Sequence, residues 1–155
     1  MAFQHYVLIC GGTGCESNKA DDIYRAFLRE AEEQGIKETT QIVKTGCFGF
    51  CAQGPIVKIL PEESFYVEVK PEDAPELVSE HIVKGRPVER LLYKDALSKE
   101  HAKVDDISFY QKQFRIVLRN CGFINPEEIT EYIARDGYVA LEKAIFEMTP
   151  DEIVE

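Results

Sequence analysis

Four of the five cysteines fall into two short pairs, Cys10-Gly-Gly-Thr-Gly-Cys15 and Cys47-Phe-Gly-Phe-Cys51. Each pair follows an apolar, strand-like run that ends in glycine. If those strands run parallel, their carboxyl ends lie at one edge of a sheet, and the four thiols can meet there. The expected topology then supports the chemistry.

Tyr6-Val-Leu-Ile-Cys10 reads as a strand buried on both faces and stopped by Gly11-Gly12. A helix is expected from about Ala20 to Gln34, capped by Asn18 or Ser17. Ile23, Ala26, Phe27 and Ala31 form its apolar side, and Gly35 ends it. Gln41–Thr45 is a second strand, leading into the second cysteine loop. Gly54-Pro55 opens a third strand at Ile56–Leu60, and Phe65–Val69 returns as its hairpin partner. Pro71 starts a helix through Val83, closed by Gly85. The order is βαβ followed by ββα, with a right-handed crossover making the first two strands parallel. Residues 86–108 are weakly periodic and read as a linker, with a helical turn around Leu92–Leu97. Beyond it come a strand at Phe114–Arg119, a helix from Pro126 capped by Asn125, a helix at about Val139–Glu147, and a helix start at Thr149. This gives an α/β fold followed by a small α+β segment.

At 155 residues there is room for one moderate domain, or a small domain with an appendage. The net charge of −10 leaves no basic stripe for nucleic acid. Residues 1–92 carry 10 basic and 15 acidic groups and residues 93–155 carry 8 and 13, so neither part is a charged tail. No span approaches the ~18 apolar residues of a membrane helix. The start lacks a basic region and a long enough apolar run for a signal peptide, which makes the cytoplasm the expected location. In a reducing compartment, cysteines point to metal or redox chemistry rather than to a disulfide framework.

A two-iron, two-sulfide cluster needs four thiolates and hydrogen-bond donors aimed at sulfur. Glycine-rich loops supply such donors, and Gly11, Gly12, Gly14, Gly46 and Gly49 are placed for it. Lys19 and Lys44 lie near enough in sequence to soften the local field, and Phe48 and Phe50 can exclude water. Structural zinc remains open, although its knuckles are usually tighter than these pairs. A thiol–disulfide exchanger and four unrelated buried cysteines also remain open. A Rieske centre is excluded, because no histidine neighbours either pair. His5, His81 and His101 read as surface or strand-edge residues, and Cys121 as a buried structural thiol. Phe65 and Tyr66 read as core, and the Glu30/Glu32/Glu33 and Glu62/Glu63 runs as solvated faces. No Ser/His/Asp arrangement, P-loop or dinucleotide fingerprint is present, so nothing supports independent hydride or acyl chemistry.

Cys10-x₄-Cys15, Cys47-Phe-Gly-Phe-Cys51-Ala-Gln-Gly-Pro55-Ile-Val and Tyr66-Val-Glu-Val69 together resemble the thioredoxin-like [2Fe–2S] ferredoxins. That family includes the 24-kilodalton-type subunit of respiratory NADH dehydrogenase. It also includes the N-terminal domain fused to flavin subunits of NAD(P)-linked iron hydrogenases and formate dehydrogenases. The resemblance implies a thioredoxin-like fold over residues 1–92, and a [2Fe–2S] cluster with Cys10, Cys15, Cys47 and Cys51 as its metal ligands. Gln113-Phe-Arg-Ile-Val-Leu-Arg-Asn-Cys-Gly122, Asn125-Pro-Glu-Glu-Ile-Thr-Glu-Tyr132 and Gly137-Tyr-Val-Ala-Leu141 resemble the start of the flavin subunit itself. Asp136-Gly137 departs from the glycine pair expected there.

The implied organisation is a ferredoxin domain at 1–92, a linker at 93–108, and a truncated flavin-subunit start at 109–155. FMN and NAD(P)H would then bind only downstream. Function is expected to be one-electron transfer within a hydrogenase- or dehydrogenase-type oxidoreductase, catalytically incomplete alone. The implied partners are other subunits of a redox complex or the chain's own missing flavin domain. Apolar positions such as Ile145 and Phe146 leave room for a homodimer or for fraying. The alternative is a zinc-binding or metal-free tethering module.

Overall fold

The run Tyr6–Cys10 has no polar residue to turn toward solvent, so it can be satisfied only as an inner strand covered on both faces. In the computed structural model, which describes residues 3–94, 100–101 and 106–155, it forms the inner strand β1 (His5–Cys10). Val7, Leu8, Ile9 and Cys10 are all buried. β2 (Thr40–Thr45) pairs with β1 in parallel. β3 (Val57–Leu60) pairs antiparallel on the other side, and β4 (Ser64–Tyr66) adds to β3. The sheet order is β2-β1-β3-β4. The register sets Cys10 opposite Thr45, so both cysteine loops leave the same edge.

Alternate β1 side chains serve two cores. Val7 and Ile9 join Ile23, Phe27, Val57, Ile59, Tyr66 and Leu77 in one cluster. Leu8 and Cys10 join Cys15, Phe48, Phe65, Ile107 and Tyr110 in the other. A short α1 (Thr13–Ser17) precedes the crossover helix α2 (Ala20–Glu33), which buries Ile23, Ala26, Phe27 and Ala31 as its periodicity requires. Glu30, expected to be solvated, is also buried at the edge of that face.

Several expectations need correction. Lys19, not Asn18 or Ser17, occupies the N-cap of α2, in left-handed backbone at φ 70° and with no side-chain cap. The Asn18 amide instead donates to Gly14 O at 2.8 Å. β4 stops at Tyr66, because Glu68 turns to φ 51° and the Val67, Glu68 and Val69 amides donate to Leu91, Gln53 and Pro55. The helix after Pro71 is composite. A 3₁₀ turn (Pro71–Asp73) leads into α3 (Ala74–Glu76) and then a π-helical run (Leu77–Val83). His81 is not a surface residue: it is 1% exposed and bonded to the Tyr66 hydroxyl at 2.6 Å. The helical turn expected at Leu92–Leu97 is absent where described. Glu89–Leu91 forms a 3₁₀ turn, and β5 (Tyr93–Lys94) pairs with β6 (Glu100–His101), while residues 95–99 lie outside the described set. The His101 side chain also lies outside it.

Later in the chain, α4 (Ser108–Gln111) precedes a run of bends and turns in place of the strand expected at Phe114–Arg119. That segment pairs with no described strand, and Phe114, Ile116 and Val117 stay exposed. The later helices are α5 (Ile129–Ile133), α6 (Val139–Glu147) and α7 (Pro150–Val154). The described part of the expected α+β segment therefore carries helices and turns only. Asn125 does accept from the Glu127 amide at 3.0 Å, but the helix begins three residues later than Pro126. α7 has the capping box Thr149/Glu152. The chain divides into two compact units, Met1–Phe123 and Ile124–Glu155. Among the described residues no helix is long and apolar enough to cross a membrane.

Candidate metal centre

The two loops are tied where they leave the sheet. Cys10 still belongs to the ladder, its amide donating to Ile56 O at 3.0 Å, and Gly11 N donates to Thr45 O at 2.9 Å. The chain then turns through Gly12 into α1, which buries Cys15. In the second loop Cys47 is half-buried, and Gly49 N donates to its Sγ at 3.3 Å. Cys51 opens a 3₁₀ turn (Cys51–Gln53) and is exposed. Gly54–Pro55, a cis peptide, leads back into β3.

The sulfurs form a run of electrostatic neighbours, with Cys10 acting on Cys15 and Cys47, and Cys51 acting on Cys47 and Cys15. Among the described residues no three Cys, His, Asp or Glu side chains are gathered around one point to hold a single metal ion. A run of four thiols suits a two-iron centre, where each iron takes two of them. Three glycines press against these sulfurs. A Cβ on Gly12 would lie 2.9 Å from Cys47 Sγ and 3.5 Å from Cys10 Sγ. One on Gly54 would lie 2.7 Å from Cys15 Sγ, and one on Gly14 would lie 3.8 Å from Cys51 Sγ. All four sulfurs thus border space that side chains would fill.

The electrostatics fit a site built for cations. The Cys10 thiol is lowered to about 6, first by its hydrogen bond to Cys15 and, against burial, by the backbone of Phe48 and Gly12. Cys15 is pushed up, first by its bond to Cys10, then by burial and by the charge on Cys10. Cys47 is pushed up by burial. Burial and neighbouring charge oppose thiolates at Cys15 and Cys47, and bound metal charge would offset that opposition.

The structure thus brings Cys10, Cys15, Cys47 and Cys51 together. Of the expected backbone donors, Gly12 and Gly49 face sulfur, while the Gly11 amide holds the loop base. Lys44 is turned to carboxylates: Glu16 at 2.8 Å and Asp21 at 3.2 Å, bonds that push its pKa up. Lys19 lines an open cleft with Gly54, Pro55 and Lys70. Phe48 is buried edge-on to Phe65, and Phe50 packs on the Phe65 and Tyr110 rings. Cys121 is half-buried rather than buried, its Sγ 2.5 Å from where a Gly46 Cβ would stand. Sequence reasoning missed the Ile56 backbone, which favours the Cys15 thiolate, and the close approach of Gly54. It also missed Tyr110, whose hydroxyl donates to Phe48 O at 3.0 Å across 62 residues, a separation that leaves no local pattern.

Residues 2–81 match the family described as thioredoxin-like [2Fe-2S] ferredoxin. A 2Fe-2S ferredoxin of Clostridium pasteurianum is 32% identical over 96 residues, covering 57% of this chain and 94% of that protein. The NADP-reducing hydrogenase subunit HndC of Solidesulfovibrio fructosivorans is 56% identical over 45 residues, covering 29% of this chain and only 9% of that protein. Among solved structures, the thioredoxin-like [2Fe-2S] ferredoxin of Aquifex aeolicus superposes with a TM-score of 0.54 at 32% identity. That superposition covers 61% of this chain and 100% of that one.

Proposed function

This chain belongs to the thioredoxin-like [2Fe–2S] ferredoxin family, proteins of iron–sulfur electron transfer, and we propose that Cys10, Cys15, Cys47 and Cys51 are its cluster ligands. The observation that carries the assignment is the run of four sulfurs across two loops, with Gly12, Gly14 and Gly54 against them. When bound, the cluster accepts and releases one electron at a time. The residues around it supply the rest. Phe48, Gly12, Gly49 and Ile56 present backbone groups that favour thiolates, and buried Cys10 and Cys15 fix the inner side. Cys51, the exposed member, is the side at which an electron partner comes closest.

Residues 109–155 are read as the start of a flavin subunit of an NAD(P)-linked hydrogenase or dehydrogenase, joined through residues 93–108 to the ferredoxin part at 1–92. The short, high-identity match to an NADP-reducing hydrogenase subunit supports membership of such a complex. The partners are then other subunits of a redox complex. The reading assigns neither FMN nor NAD(P)H to any residue of this chain.

Anaerobic purification followed by iron and acid-labile sulfide analysis tests the site. Expected are equal amounts of iron and sulfide and visible absorption that bleaches with dithionite. Serine at any of the four ligand positions should diminish both, while Cys121→Ser should not. A colourless protein with one bound zinc would establish the tethering module instead.

A further inference from the structure

Residues 107–123 lie outside the family match, yet they pack onto the second cysteine loop. Ile107 and Tyr110 are buried in the same cluster as Cys10, Cys15 and Phe48. The Tyr110 ring contacts Phe50 and Phe65, and its hydroxyl donates to Phe48 O, between the two loop cysteines. At the far end of the segment, Gly122 N donates to Thr45 Oγ1 at 3.0 Å and Cys121 lies against Gly46. The segment is a strap, fastened at both ends to the loop that carries Cys47 and Cys51.

Its charge is opposite to that of the chain. In a protein of net charge −10, residues 107–123 contain Lys112, Arg115 and Arg119 and no carboxylate. Arg115 sits over the Tyr110 ring, 5.3 Å from the centroid. One guanidinium nitrogen, Nη1, is buried without a hydrogen-bond partner among the described residues. A buried cationic donor is stable only near an acceptor or an anion. Lys44, one of the two cations expected from the sequence to serve the site, is already engaged by Glu16 and Asp21. Tyr110 therefore touches the strap cation through its ring and the cysteine loop through Phe48 and Phe50.

We propose that Arg115 is a positioning residue of the metal centre, the counter-cation that the strap holds against the negative charge of the four-cysteine site. This inference rests on the cluster reading above. Reduction adds negative charge at the site, so a nearby fixed cation stabilises the reduced form and raises the potential. Tyr110 holds the guanidinium against its ring and anchors the strap to Phe48.

The test is a dye-mediated reductive titration of the loaded full-length chain, comparing wild type with Arg115→Gln and Arg115→Lys, with iron and sulfide measured on each. Arg115→Gln is expected to shift the potential to a more negative value at undiminished iron content, and Arg115→Lys to restore most of the shift. Loss of the cluster in Arg115→Gln with retention in Arg115→Lys would equally support a requirement for the charge. An unchanged potential in loaded Arg115→Gln overturns the inference and leaves the cluster reading standing, as does equal loss of the cluster in both variants. If wild type binds no iron or sulfide, the cluster reading itself fails, and this inference with it.

Discussion

At the scale of single residues, the metal centre depends on what is missing at Gly12. A Cβ there would meet Cys47 Sγ at 2.9 Å and Cys47 Cβ at 3.1 Å, whereas one at Gly14 would find ordinary contact with Cys51 at 3.5 Å. Overpacking of this kind costs about 1–3 kcal/mol. Gly12→Ala is expected to lower iron occupancy after reconstitution, with Gly14→Ala close to wild type; equal occupancy in the two would show that the loop yields freely. His81 is a second pressure point, away from the cysteines. Its imidazole is pushed below the ordinary value of 6.5 by burial, with Glu62 acting the other way and His5 adding to the lowering. The Tyr66 hydroxyl sits on Nδ1. The unfolded chain therefore takes up this proton before the folded one does. The neutral form contributes its full stability above about 6.5, and stability falls as pH drops below that, levelling once the folded value is passed. Urea midpoints between pH 7.5 and 5.5 should decline less in His81→Gln than in wild type, and parallel declines would remove His81 from the acid response. Neither residue drew attention in the sequence as a packing constraint. Gly12 was read as a hydrogen-bond donor and His81 as a surface group, because burial on the π-helical run is set by the facing strand.

At the scale of elements, what could be read from sequence was what local pattern governs. β1, β2 and the crossover helix followed from an unbroken apolar run, a shorter one, and helical spacing of Ile23, Phe27 and Ala31. The loops that carry the cysteines then fell at one sheet edge because a parallel pair allows nothing else. Caps and strand ends were misplaced because tertiary bonds decide them. Lys19 is forced into left-handed backbone by the tight passage from α1 to α2, where its amide donates to Glu16 O and its carbonyl accepts from Ile23 N. A non-glycine residue pays for that conformation, so Lys19→Gly is expected to raise unfolding stability by up to about 1 kcal/mol. A lower urea midpoint in that variant would mean that the lysine stem contributes packing the backbone argument omits. The expected strand at Phe114–Arg119 failed for the converse reason. Its alternation and β-branched residues suit a strand, but no described edge receives it, and the segment straps the cysteine loop instead.

At the scale of the whole molecule, the charge and the burial divide differently from the sequence resemblance. Residues 124–155 carry nine acidic and two basic groups, and α5, α6 and α7 bury no side chain. Ile133, Ile145, Phe146 and Val154 are all more than half exposed. Apolar area that remains wet contributes nothing to folding, so a chain ending at Phe123 should match the full chain within about 0.5 kcal/mol. A chain ending at Leu92 should not. It would lose Ile107 and Tyr110, and burying each such side chain is worth about 1.5–3 kcal/mol. It would also lose the Tyr110 bond to Phe48, worth about 1 kcal/mol. Thermal and urea unfolding of the three lengths, each loaded with iron and sulfide, distinguishes a ferredoxin unit that stops at the resemblance from one that extends to the strap. If the chain ending at Leu92 unfolds with the full-length one, the strap is a surface ornament and the contacts it makes with Phe48 and Thr45 carry no weight in the fold.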